Sequence, residues 1–205
     1  MGACLVAVKA PHGEKVSVTV NWTQELVDQV DWYWTAHLRP RLDGLTDDEY
    51  LWEPVAGCWS IRPRSASVSP AVGRGPYVLE IERPEPIPPP LTTIAWRMAH
   101  VSVGVLGKRA SNHFGAFGGA LTEETADLSP TAAGGLSMLD ETYAAWMSGV
   151  RALDDAGLAR PCGPAEGPFS QYPLAALILH INREVLHHGA EIALLRDLYR
   201  FQQSS

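Results

Sequence analysis

The sequence predicts an all-α protein built as a four-helix bundle. Two observations carry this. Apolar residues alternate at spacings of three and four along Leu136, Leu139, Tyr143, Trp146, Val150 and Leu153, and again along Leu174, Ile178, Ile181, Val185, His188, Ile192, Leu195 and Tyr199, the period of helices packed in bundles. Start and stop signals bracket these and two further helical stretches, and only one short segment alternates as a strand would.

Taken in order, the first 20 residues are small and β-branched without a period, and read as an N-terminal arm, either extended or partly disordered. Asn21 and Gln24 have capping-box spacing, and Leu26, Val30, Tyr33 or Trp34, and Leu38 give a first helix, ended by Pro40 and Gly44. Residues 45–60 read as an ordered loop whose two tryptophans suggest that it folds back over another part of the chain. Residues 61–90, rich in Pro, Ser, Gly and Arg, read as a long loop insertion between helices one and two, in which only Tyr77–Ile81 alternates. A lone helix ahead of this stretch could not stand as a domain, so it is an insertion and not a linker. Thr92 or Thr93 caps a second helix with a stripe of Ile94, Met98, Val101 and Val105, closed by Gly115–Gly119. Ser129 and Pro130 start the third helix, and Gly157 and Pro161–Pro168 stop it. The fourth runs from Ser170 or Gln171 to Tyr199. Residues 21–201 thus form a single domain after the 1–20 arm.

Composition narrows the function. A net charge of −7 argues against nucleic acid as a partner, because phosphate binding needs a basic surface. Arginine outnumbers lysine 13 to 3, a hint of a GC-rich genome. Cys4, Cys58 and Cys162 are odd in number, far apart and without a CxxC pair, which suits free thiols in a reducing compartment. No stretch approaches the roughly 20 apolar residues of a membrane span, and Met1–Val20 lacks the order of a signal peptide. The expectation is a cytoplasmic protein without a membrane partner.

The fourth helix carries the strongest chemical signal. His188 takes a seam position whose other occupants are apolar or aromatic, where an unpartnered imidazole would cost roughly 1–3 kcal/mol. Glu184 lies four residues earlier, on the same face and about 6 Å along the axis, a spacing that lets two side chains hold one metal ion. Such a pair is also a common surface ion pair, and the seam placement of His188 is what favours the metal. A third ligand must come from another helix. His100, mid-helix in the apolar run Trp96–Val103, is the candidate, although a core histidine bonded to a hydroxyl would look the same.

The stretches Leu45-Thr-Asp-Asp-Glu-Tyr-Leu-Trp-Glu-Pro54, Thr92-Thr-Ile-Ala-Trp-Arg-Met-Ala-His100 and Leu179-His-Ile-Asn-Arg-Glu-Val-Leu-His-His-Gly-Ala-Glu-Ile192 together resemble the DinB-like superfamily, in particular its actinobacterial branch, over roughly residues 22–200. The resemblance implies an up-down-down-up four-helix bundle and a divalent ion held by three side chains, usually three histidines. His100 and His188 match two of these positions. Glu184 stands where the commonest pattern has His, as it does in the mycothiol-dependent maleylpyruvate isomerases that this chain resembles there. Glu191 stands where many members have Gln. The implied cofactor is zinc first, with nickel or iron as alternatives, and the implied cosubstrate is a low-molecular-weight thiol such as mycothiol or bacillithiol.

Two imidazoles and a carboxylate leave coordination positions open, as catalytic zinc and some non-haem iron sites do. The leading expectation is a metal-dependent thiol S-transferase or thiol-dependent isomerase acting on a small electrophile. A non-catalytic metal-binding stress-related module and an Fe(II)-dependent oxidative enzyme are the alternatives. Arg97 and Arg183 read either as surface residues or as anion binders, and Trp59, Trp96 and Trp146 as core or as pocket walls. His37 could face the same cavity, and His180 could substitute as a ligand, though at about 12 Å along the axis it cannot share an ion with His188. His12 and His113 carry no signal. Cys58 and Cys162 lack an activating neighbour. The apolar face of helix two (Val101, Val103, Val105, Leu106) leaves room for a homodimer contact, and the expected substrate is a small molecule.

Overall fold

A computed structural model describes residues 6–9, 15–67 and 69–204. Four helical rods pack around a shared core. The first rod is α1 (Trp22–Tyr33), which continues through a π-helical turn (Trp34–Leu38) into a last α turn (Arg39–Arg41). Asn21 caps it by accepting from the Gln24 amide, and Leu26, Val27, Val30, Trp34 and Leu38 face the core. Pro40, expected to end the rod, sits inside that final turn, where it does little harm because the chain leaves at Leu42.

The expected loop 45–60 contains a short helix, α2 (Asp47–Leu51), capped by Thr46 and acidic in its first turn, the arrangement a helix N-terminus favours. The 61–90 stretch is more ordered than its composition suggests. Its strands β3 (Ile61–Pro63), β4 (Ala71–Val72) and β5 (Tyr77–Glu80) form an antiparallel sheet in the order β3-β5-β4. The protein is mostly helical, as expected, but the expectation of a single short alternating strand is corrected here, and again at the N-terminal arm. Val6–Lys9 and Lys15–Val18 pair as an antiparallel hairpin, which we number β1 and β2. Strands of two to four residues bounded by Pro63 and Gly73 are too short for a period-2 signal.

The second rod joins α3 (Ile94–Ala99) and α4 (Lys108–Phe114) through a π-helical segment, His100–Gly107. Thr93 caps it and Gly115, in the left-handed region, ends it. Every residue from Val101 to Gly107 is buried. Gly107 allows close packing from outside the rod, since a Cβ there would lie 2.6 Å from Leu121 and 3.0 Å from Thr142. The valines and Leu106 named as a dimer face therefore lie in the chain's own core, and any contact between copies must use other residues.

The third rod is α5 (Ala132–Arg151), followed by the short α6 (Asp155–Ala159). Its cap is Thr131, two residues past the expected Ser129, whose hydroxyl instead accepts from the Thr131 amide at 3.2 Å. The fourth rod, α7 (Leu174–Gln203), starts after Pro173 and a 3₁₀ turn (Pro164–Phe169). Its seam is buried as predicted at Leu174, Ile178, Ile181, Val185, His188 and Ile192. No helix of the described residues is long and apolar enough to cross a membrane.

Two buried polar links fix α7. The Asn182 side chain donates to the Leu26 carbonyl at 2.8 Å. Arg196 forms a two-pronged ion pair with Glu49 of α2, at 2.6 and 3.0 Å, and also donates to the carbonyls of Arg41 and Asp43. Breaking a buried pair from one side strands the other charge. Arg196→Met is expected to destabilise the fold by about 3–5 kcal/mol, and the Glu49→Gln, Arg196→Met double variant by clearly less, read from urea unfolding midpoints.

Candidate metal centre

The structure brings the three residues singled out in the sequence to one place. The ligand atoms of His100, Glu184 and His188 all lie within 4.8 Å of one another. His188 comes from mid-α7, and its ring meets that of His100 edge to face, with centroids 4.8 Å apart. His100 opens the π-helical segment, a geometry often found at functional sites. The His188 Nε2 to Glu184 Oε2 distance is 3.3 Å.

Glu191, one turn beyond His188, completes the geometry. Its Oε2 is 2.7 Å from His188 Nδ1, so it accepts the Nδ1 proton and leaves the Nε2 lone pair towards Glu184 and His100. Arg97 Nε in turn forms an ion pair with the same oxygen at 3.0 Å, and its guanidinium lies 5.2 Å from the Trp96 ring centroid. Arg97 is thus a clamp on a carboxylate. The i, i+3 spacing from His188 to Glu191 was visible in the sequence, but the link to Arg97 on another rod was not. His187, Glu191 and His188 form a second group of close ligand atoms, but it shares His188 and His187 is exposed.

Aromatic packing seals the other side. Trp96 stacks on His100 at 5.3 Å and 14°, Trp59 lies 6.1 Å from Trp96, and Trp96 Nε1 donates to the Glu80 carbonyl of β5 at 2.6 Å. The β3-β5-β4 sheet therefore buttresses the rod that carries His100. Trp146 packs in the core against Phe114. Burial, then the neighbouring His188 and arginines 97, 109 and 83, push the His100 pKa down to about 3. A neutral imidazole is the form that binds metal ions.

The remaining candidates separate. His180 Nδ1 lies 3.6 Å from Glu184 Oε1 and accepts from Arg183 at 3.2 Å, but it is outside the cluster. His37 does not face the site: it is exposed, with its ring against Trp32 at 4.6 Å. The π turn over Trp34–Leu38 changes the angular register that an α-helical reading assumes. His113, which carried no sequence signal, has a buried side chain 3.0 Å from Glu166; that hydrogen bond holds the Glu166 carboxyl below its usual range. Its partner is far away in sequence, so nothing local announced it. Cys58 and Cys162 are buried with raised pKa values, desolvation being the first cause, which suits inert thiols. Cys4 and His12 lie outside the described residues.

A family model described as the DinB superfamily matches residues 29–192, about four-fifths of the chain. No curated protein and no solved structure matches. The chain belongs to the DinB superfamily.

Because His100 stays neutral when folded but ionises near 6.5 when unfolded, its contribution to stability is present above that value and lost as pH falls towards 3. In chelator-treated protein, stability is expected to fall below about pH 6.5 by up to about 1.4 kcal/mol per pH unit from this group. Urea unfolding from about pH 7 to about pH 4.5 checks it: His100→Phe should flatten the slope, and equal slopes would assign the effect elsewhere.

Proposed function

We propose that this DinB-superfamily chain is a divalent-metal-dependent enzyme in which His100, Glu184 and His188 hold the ion, zinc in the first instance. The carrying observation is the donor set itself: two imidazoles and a carboxylate from two rods, with ligand atoms within 4.8 Å. The 3.3 Å separation of His188 Nε2 and Glu184 Oε2 equals the edge of a tetrahedron with bonds of about 2.0 Å, the zinc value. We read residues 21–201 as one domain, with the rods in up-down-down-up order and residues 61–90 inserted between the first two.

When bound, such an ion would supply Lewis acidity and a lowered pKa for a thiol or water that reaches an open position. The chain's own residues provide the rest. Glu191 holds the His188 proton at Nδ1, so that Nε2 stays a lone-pair donor. Arg97 holds Glu191 in place through their ion pair. Trp96 and Trp59 keep water from the His100 side. The reading that best uses this arrangement is a thiol S-transferase or thiol-dependent isomerase acting on a small electrophile, with mycothiol or a similar thiol as cosubstrate.

Elemental analysis of the purified protein beside the His100→Ala, His188→Ala double variant tests the core of this. Near-stoichiometric zinc in the parent and none in the variant is expected. Glu191→Gln should retain the ligands yet weaken metal affinity roughly 10–100-fold, the usual cost of losing such an orienting partner. If the parent holds no metal even after incubation with zinc, nickel or iron(II), the enzyme reading fails. Oxygen consumption on adding iron(II) would instead favour oxidative chemistry.

A further inference from the structure

We propose that a separate cavity beside the candidate metal centre binds the carboxylate group of a small, partly apolar organic acid. That this acid is the electrophile rests on the function proposed above; its binding does not.

The cavity has a volume of about 440 Å³, a size suited to a small-molecule ligand. It opens between α4, α7 and the 3₁₀ turn that precedes α7. Two guanidinium groups line it, Arg109 from α4 and Arg183 from α7, together with the His180 imidazole and a single carboxylate, Glu166. Charge is not balanced within it. Glu166 is divided, 3.0 Å from His113 and 3.5 Å from Arg109. Arg109 also donates to the Gly104 carbonyl, and its buried Nε has no acceptor. Arg183 makes no ion pair among the described residues; its one hydrogen bond goes to His180. Two cations therefore face one shared carboxylate, and a single negative charge on a ligand would restore neutrality.

The rest of the lining sets the ligand's shape. Leu177 forms an apolar wall, and the rings of Phe169 and Tyr172 stand edge to face, 5.8 Å apart, both exposed at the cavity. Planar guanidiniums favour a planar, two-oxygen acceptor such as a carboxylate. Apolar and aromatic walls favour a flat hydrocarbon body.

Position ties this cavity to the cluster. His180, on the wall, is 3.6 Å from Glu184. The Gly104 whose carbonyl holds Arg109 has its absent Cβ position 3.4 Å from His100 Nδ1. The cavity thus abuts both rods that carry the candidate ligands.

The test titrates cinnamate into the chelator-treated full chain, followed by calorimetry and amide NMR shifts. Saturable binding is expected, weakened about tenfold or more by Arg183→Gln and lost on filling the cavity with Ala176→Phe, while the neutral cinnamamide does not bind. Arg183 is exposed, so its replacement leaves the fold and the zinc content unchanged, checked by unfolding and elemental analysis. No saturable binding, equal binding of cinnamamide, or an unaffected Arg183→Gln variant would overturn the proposal. Phenyl phosphate binding more tightly than cinnamate would overturn the carboxylate assignment. Because metal is absent from the titration, these failures leave the metal reading standing, and a failed zinc analysis leaves this one standing.

Discussion

The arrangement of this site depends on one ring. His188 is placed in an apolar seam at 8% exposure, and both its nitrogens require partners there. Glu191 takes Nδ1 and Glu184 faces Nε2. Glu191 is itself held by Arg97, Arg97 lies over Trp96, and Trp96 hangs from the Glu80 carbonyl while stacking on His100. Satisfying one imidazole thus draws in the last rod, the second rod and the three-stranded sheet. Glu80 is fixed in turn, since its carboxylate accepts from Arg62 at 2.9 Å and from the Ser60 amide at 3.0 Å.

Two kinds of buried charge occur in the chain. The Arg196–Glu49 pair is closed: each carboxylate oxygen has a guanidinium donor, and Arg196 Nη1 donates to two backbone carbonyls. Such a unit fixes geometry and has nothing left for a ligand. The Arg109–Glu166–His113 group is open, with a carboxylate shared at unequal distances and a donor unused. The difference is one of hydrogen-bond completeness, and it separates a structural ion pair from a candidate binding wall.

Much of the fold was legible because helices leave a period that survives in the chain. The seam of α7 and the caps at Asn21 and near Thr92 or Thr93 all follow from local spacing. The approach of His100, Glu184 and His188 was also legible, because a polar residue in an apolar stripe stands out. What escaped was whatever depends on distant partners or altered helical pitch. Arg97 acts through a residue 94 positions on (191 minus 97), His113 through the remote Glu166, and His37 turns outward because the rod departs from α geometry just there. The short strands β3 and β4 are set by pairing with β5 and have no periodic signal of their own.

The π-helical segment of the second rod has a consequence for how the chain tolerates changes in length. A widened turn absorbs residues that a regular α-helix would advance by about 100° each. His100 lies at its start and Arg109 just after its end, so the segment sets the angle between the imidazole and the guanidinium. Removing the one residue that the widened turn absorbs would let the rod relax to α geometry with its phase kept, but relaxing at full length would rotate one half against the other by about that angle. Either the core stripe of α3 or that of α4 would then face the wrong way. A further insertion would be accommodated in this stretch less readily than a single deletion, because the phase between its two ends is what the site and the core both read.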